Sequence, residues 1–273
     1  MKKAVVILIV TLVLLFSVVL VASAITDGDP DGDGHPFVGL VLFYDEDGDY
    51  MWRCSGTLLS ETVFLTAGHC TYSTHMAKVY LDADLMELVY PYDFEGCGPY
   101  TCYEGDTYAH PEYSEEEGDD PWYMHDAGVV VLTEPVEGIT EFGTLPEIDS
   151  LDALMPSRGV KATFTAVGYG LQASFPDGAD WKTVADRIRM VAYPKLLQLN
   201  APGMTGDFSM LLSNNHATGG TCYGDSGGPN FLGDSYVVAG ITSYGMNVSC
   251  AGTGGVFRTD RENVQDFILD FLE

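Results

Sequence analysis

Gly224-Asp225-Ser226-Gly227-Gly228-Pro229 sets one serine in a turn flanked by glycines, with an acid directly before it. Lacking a Cβ, the glycines admit backbone conformations and a close substrate approach that other residues block. The N–H groups of Gly224 and Ser226 can then converge on one point and stabilise a developing oxyanion. Upstream, Thr66-Ala67-Gly68-His69-Cys70 offers an imidazole base. Between the two, His125-Asp126-Ala127-Gly128 leads a carboxylate into the apolar run Val129-Val130-Val131-Leu132.

The serine turn also fits the G-x-S-x-G elbow of α/β-hydrolases, whose acid and histidine follow the serine in the chain. His35, His69, His75, His110, His125 and His216 all precede Ser226, so an elbow serine has no base in the required order. A lone serine among glycines is ordinarily a turn without chemistry, but three motifs in one order argue against that reading. In the order and gaps of His69, Asp126 and Ser226 the chain resembles the trypsin/chymotrypsin-type serine proteases. The resemblance implies an all-β fold of two packed six-stranded antiparallel β-barrels followed by a C-terminal α-helix. It implies that Ser226 attacks the scissile carbonyl, that His69 takes and returns the proton, and that Asp126 orients His69. Asp119 and Asp120 are nearby, but only Asp126 directly precedes an apolar strand. His125 alternates with Asp126 along an extended segment and is expected to face away. Gly168-Tyr169-Gly170 resembles the family's Gly-Trp-Gly turn.

Patterning agrees with a β-rich chain. Its 273 residues can hold one or two domains. Short apolar runs at 37–43, 63–66, 129–132, 161–168, 236–243 and 255–259 are bounded by turn residues and read as strands. Only Val264, Phe267, Ile268, Phe271 and Leu272 recur at helical spacing.

Residues 1–24 read as a signal peptide: Lys2-Lys3, an apolar run over 4–22, and Ala22-Ser23-Ala24 as the cleavage signal. The run is long enough for an uncleaved membrane anchor to be the alternative. Cleavage after Ala24 leaves a protease domain at 25–273 that starts with Ile25. The resemblance requires such an N-terminal ammonium to pair with the acid before the nucleophile, here Asp225. The start Ile25-Thr26-Asp27-Gly28 departs from the family's Ile-Val-Gly-Gly, and no propeptide separates Ala24 from Ile25.

Six cysteines behind a secretory leader read as three disulfides with 15 possible pairings. The resemblance implies Cys54–Cys70 and Cys222–Cys250, which leaves Cys97 with Cys102. No C-x2-C spacing occurs and each histidine is isolated, so neither a metal nor another cofactor is expected. Forty acids against twelve bases give a net charge of −28, and loss of Lys2 and Lys3 with the leader makes it −30. That balance excludes nucleic acid, which needs clustered Lys and Arg. It resists aggregation, favours basic partners or substrates and suits either a salt-adapted secreted protein or an ordinary acidic exoenzyme; a monomer is expected, and the resemblance implies protein or peptide substrates.

Asp27-Gly28-Asp29-Pro30-Asp31-Gly32-Asp33-Gly34 resembles the start of a calcium loop, but the twelfth position from Asp29 is Leu40 rather than Glu. It reads as a solvated acidic loop. Asp45-Glu46-Asp47-Gly48-Asp49 reads as a hairpin tip, and Asn247-Val248-Ser249 is an N-glycosylation sequon. The resemblance aligns Gly220 and Thr221 with the base of the specificity pocket and Ser243, Tyr244, Gly245 and Gly255 with its walls. Three glycines and no acid there imply a deep, uncharged slot for Phe, Tyr, Leu or Met before the scissile bond. The competing functions are a catalytically inactive homologue acting as a binding protein, and a protease held on a membrane by its leader.

Overall fold

The computed structural model describes residues 25–90, 92, 96–115, 124–154, 161–174, 184–202 and 206–272; the expected signal peptide and Asp119 and Asp120 lie outside them. Strand β1 (Asp29–Pro30) precedes β2 (Val38–Tyr44), which is buried along its whole length. β2 turns into β3 (Tyr50–Leu58) at the acidic hairpin tip. There Asp45 Oδ1 accepts from Asp47 N–H at 3.0 Å and from Asp49 N–H at 2.8 Å. With β4 (Val63–Thr66), β5 (Met76–Tyr80), β6 (Cys102–Ala109) and β7 (Gly128–Leu132) they close a six-stranded barrel in the order β2-β3-β4-β7-β6-β5. Closure leaves no exposed edge. A single helical turn, α1 (Gly68–Thr71), interrupts this barrel after β4.

The second half contributes β8 (Phe164–Gly168), β9 (Met190–Ala192), β10 (Leu196–Ala201), β11 (Gly206–Asn214), β12 (Pro229–Leu232), β13 (Val238–Gly245) and β14 (Gly252–Arg258). They form an eight-stranded antiparallel sheet with β1, in the order β1-β9-β8-β12-β13-β14-β11-β10. The sheet curls back on itself. Leu196 N–H donates to Ala162 O and Phe164 N–H to Pro194 O, both at 2.9 Å, around a bridge between Thr163 and Lys195. That stitch joins β10 to the entry of β8, so six strands close and β9 and β1 remain outside the ring. The chain then ends in α2 (Glu262–Leu269), which buries Val264 and Ile268.

One apolar cluster runs through both halves, from Phe37 and Phe64 through Val167 and Phe231 to Phe257 and Val264. The acidic loop after Ile25 is less solvated than its composition suggests. The side chain of Asp31 is buried, with Oδ2 accepting from Arg189 Nε at 3.1 Å and Oδ1 facing His35 Nδ1 at 2.6 Å. Arg189, 1% exposed, also donates to Val38 O at 3.1 Å, Leu81 O at 3.0 Å and Gly32 O at 2.6 Å. It therefore bolts the N-terminal segment and the first barrel onto β9. All three disulfides form, Cys54–Cys70, Cys97–Cys102 and Cys222–Cys250.

Candidate active site

The two halves meet where α1, the entry to β7 and the turn before β12 converge. His69 sits on α1, pinned by the disulfide through Cys70 and by Trp52 Nε1, which donates to Cys70 O at 2.8 Å. Asp126 is wholly buried. Its Oδ1 accepts from the His69 backbone N–H at 2.8 Å, and its oxygens face His69 Nδ1 at 2.9 and 3.1 Å. Ser243 Oγ from β13 donates to the remaining lone pairs of Oδ2. The carboxylate thus fixes His69 through backbone and ring together, holding the ring by its Nδ1 edge. Burial opposes protonation of His69. The charge and hydrogen bond of Asp126, with Glu115 beyond it, outweigh that and raise its pKa above the ordinary value.

Ser226 lines the same cavity as His69, a cleft of about 490 Å³. The turn that carries it has Gly224 at φ 93° and Gly227 at φ 79°, left-handed conformations that a side chain would strain. Ser55 holds the turn from the opposite barrel, its Oγ donating to Gly224 O at 2.9 Å and its N–H to Ser226 O at 2.8 Å. Among the described residues no group accepts from Gly224 N–H or Ser226 N–H. Two unspent donors beside the nucleophile are what an oxyanion site needs. His125 faces away as expected, stacked on His110.

Ile25 and Asp225, the expected N-terminal pair, are both fully buried. Ile25 packs on Ala166, Met190 and Ala192, and Gly220 N–H donates to Thr26 O at 3.0 Å. Asp225 lies against Gly168-Tyr169-Gly170 and accepts from Gly170 N–H and Cys222 N–H, each at 2.8 Å. Among the described residues no ion pair reaches Asp225. Burial pushes its pKa up to about 7 against those two N–H groups and the more distant Arg53.

The specificity residues divide. Thr221, Ser243, Tyr244 and Gly245 line the cleft with His69 and Ser226, together with the Cys222–Cys250 disulfide and Met246, Asn247 and Val248. Gly220 and Gly255 do not line it. The side chain of Asn214 stands over Gly220, and the ring of Tyr244 stands over Gly255, each where a Cβ would be. Two of the three glycines expected to open the slot therefore leave space that Asn214 and Tyr244 already occupy. Sequence reasoning missed Ser243 as a partner of Asp126, Ser55 as the brace of the serine turn, and Asn214 and Tyr244 as fillers. Their signal lies in pairing across strands, which local spacing does not carry.

The trypsin family model matches residues 30–268. Brachyurin of Leptuca pugilator is 28% identical over 216 residues, covering 77% of this chain and 81% of that protein. Serine protease 1 of Drosophila melanogaster is 25% identical over 244 residues, covering 87% and 82%. Venom serine protease Bi-VSP of Bombus ignitus is 24% identical over 234 residues; the match covers 82% of this chain and 60% of that protein. Among solved structures, HL collagenase superposes with a TM-score of 0.67 at 19% identity, over 90% of this chain and 97% of that one, a likeness of fold.

Proposed function

The chain belongs to the trypsin family of serine endopeptidases, and on that premise we propose that Ser226, His69 and Asp126 are its catalytic residues. Ser226 Oγ attacks the peptide carbonyl as His69 Nε2 takes its proton, giving an acyl-enzyme and an amine that leaves with that proton. Gly224 and Ser226 N–H groups hold the oxyanion, and water then releases the acyl group by the same route. Activity begins when the leader is cut after Ala24 on the way out of the cell. The Ile25 ammonium so freed becomes the counter-charge of Asp225.

Substrates are proteins or peptides with a large apolar residue before the scissile bond. The observation that carries this preference is that, among the described residues, no Asp, Glu, Lys or Arg lines the cleft beside His69 and Ser226. An Arg or Lys side chain would enter unpaired, whereas Phe or Leu gains by burial on the Tyr244 ring and the disulfide, at about 25 cal/mol per Å². A chromogenic peptide series varied at that one position tests it. The expected order puts Phe, Tyr, Leu and Met above Arg and Lys in kcat/KM, with Ser226→Ala inactive on all of them. A higher value for Arg or Lys overturns the preference, and turnover by Ser226→Ala overturns the nucleophile.

A further inference from the structure

Arg53 and Ser55 stand two residues apart on one face of β3, and both reach the turn that carries the nucleophile. Ser55, the deeper of the two, braces that turn through Gly224 O and Ser226 O. Arg53 is half-buried at the rim and donates from Nη1 to Tyr169 O at 2.8 Å. The same nitrogen lies 3.3 Å from where a Cβ on Gly224 would be, so the guanidinium stands directly over the residue proposed to hold the oxyanion. Nη1 is thereby spent. Among the described residues nothing accepts from Nε or Nη2, and no carboxylate pairs with the group. On the premise that Ser226 is the nucleophile, we propose that Arg53 is a specificity-determining residue that recognises a carboxylate in the first two residues after the scissile bond.

The open edge of Arg53 is the one that suits a carboxylate. Arg258 shows how this chain uses it, gripping Asp260 with Nε at 2.9 Å and Nη2 at 2.8 Å. Two parallel donors match a carboxylate in spacing as well as charge. Arg189 pairs with Asp31, and Arg261 with Asp149 and Asp152, whereas Arg53 has no such partner. Asp225 acts on it only at a distance, its oxygens held by Gly170 N–H and Cys222 N–H. The side of the scissile bond follows from the path of the proton. His69 hands it to the departing amine, so the departing segment lies toward α1 and the first barrel. Cys70, next to His69, is bonded to Cys54, next to Arg53. The acyl part takes the other wall, between Thr242 and Val248, which Arg53 does not line. Gly224 holds the scissile carbonyl, and an extended chain advances ~3.4 Å per residue. The fork over Gly224 is therefore in reach of the first two departing residues and not of distant ones.

The test uses C-terminally amidated peptides with Phe before the scissile bond and Asp, Asn or Lys in turn at each of the two positions after it. A further arm ends the Asn peptide at the second position as a free acid; faster cleavage confined to that arm assigns the carboxylate to a chain end rather than a side chain. The parent should cleave the better Asp peptide at least ~5-fold faster in kcat/KM than its Asn counterpart, with Lys slowest and the spread shrinking in ~1 M salt. That order runs against the net charge of −28, which by itself draws in basic peptides. Arg53→Lys keeps the charge without the fork and should retain part of the spread. Arg53→Met should erase it, and Arg53→Glu should invert it in favour of Lys. A role confined to bracing Tyr169 would slow all peptides alike and invert nothing. A parent that cleaves every peptide equally, or an Arg53→Glu that keeps the parent's order, overturns the assignment. A parent that cleaves none of them overturns the serine-protease reading on which it rests, so the two failures are distinct.

Discussion

His69 is the residue on which the pH profile turns. As the proposed base it must be neutral before attack, so kcat/KM should rise as pH passes through its pKa, which lies above the ordinary value. Glu115, held by Tyr113 Oη at 2.8 Å, contributes to that elevation from outside the triad. Glu115→Gln should therefore move the acidic limb of kcat/KM to lower pH while the plateau stays near the parent's; an unmoved limb contradicts the electrostatic reading. Asp225 gives a second pH dependence of opposite origin. Its folded pKa, about 7, is above the ordinary carboxyl value. For a raised pKa, the contribution to stability is full below the unfolded value near ~4 and is lost as pH rises through the folded one. A chain that keeps a residue before Ile25 should lose several kcal/mol between about pH 4 and 7 on this account. In a chain beginning at Ile25 the ammonium compensates and the loss should be smaller. Urea midpoints of both forms across that range check this, and identical pH dependences would contradict it.

At the level of elements, the strands that announced themselves are those with an uninterrupted apolar run. The run at 63–66 coincides with β4, and those at 37–43 and 129–132 fall within one residue of β2 and β7. β3, β6 and β11 were not legible, because residues such as Arg53, Glu104 and Asp207 break their alternation and only their neighbours make them strands. The triad motifs could be read because each is local, whereas the disulfide pairing came from the family resemblance, since sequence alone left 15 possibilities. Ser243 on Asp126 and Asn214 over Gly220 depend on contacts far apart in the chain. Arg189 is the extreme case. Nothing around it in sequence marks a buried cation, yet it holds β1, β2 and β9 together through Asp31 and three carbonyls. Replacing it with Met leaves Asp31 with one neutralising partner fewer, and removing one member of a buried pair typically costs about 3–5 kcal/mol. Equilibrium denaturation of Arg189→Met should show a loss of that order, and a change below ~1 kcal/mol would mean that the cation is dispensable.

Across the whole molecule, a net charge of −28 coexists with buried arginines whose acidic partners are close. Arg258, fully buried, donates to Asp260 and Asp152 at 2.8 Å, and Arg261 pairs with Asp149 and Asp152. Arg189, Arg258 and Arg261 are thus spent inside, while Lys161 and Lys195 are exposed, and the excess acid is left to the surface, where salt screens it. The two halves are tied by Ser55, Arg189 and the shared apolar cluster, and the cleft between them places an oriented His69 beside Ser226 and two unspent N–H donors. That arrangement is tested most directly by treating the purified protein with a peptidyl phosphonate ester and recording intact mass, fragment masses and the N-terminal residue together. The account predicts one phosphonyl group, on Ser226, on a chain that begins at Ile25 with all six cysteines oxidised, and no label on Ser226→Ala. An unlabelled parent, or a label that persists in Ser226→Ala, would contradict it.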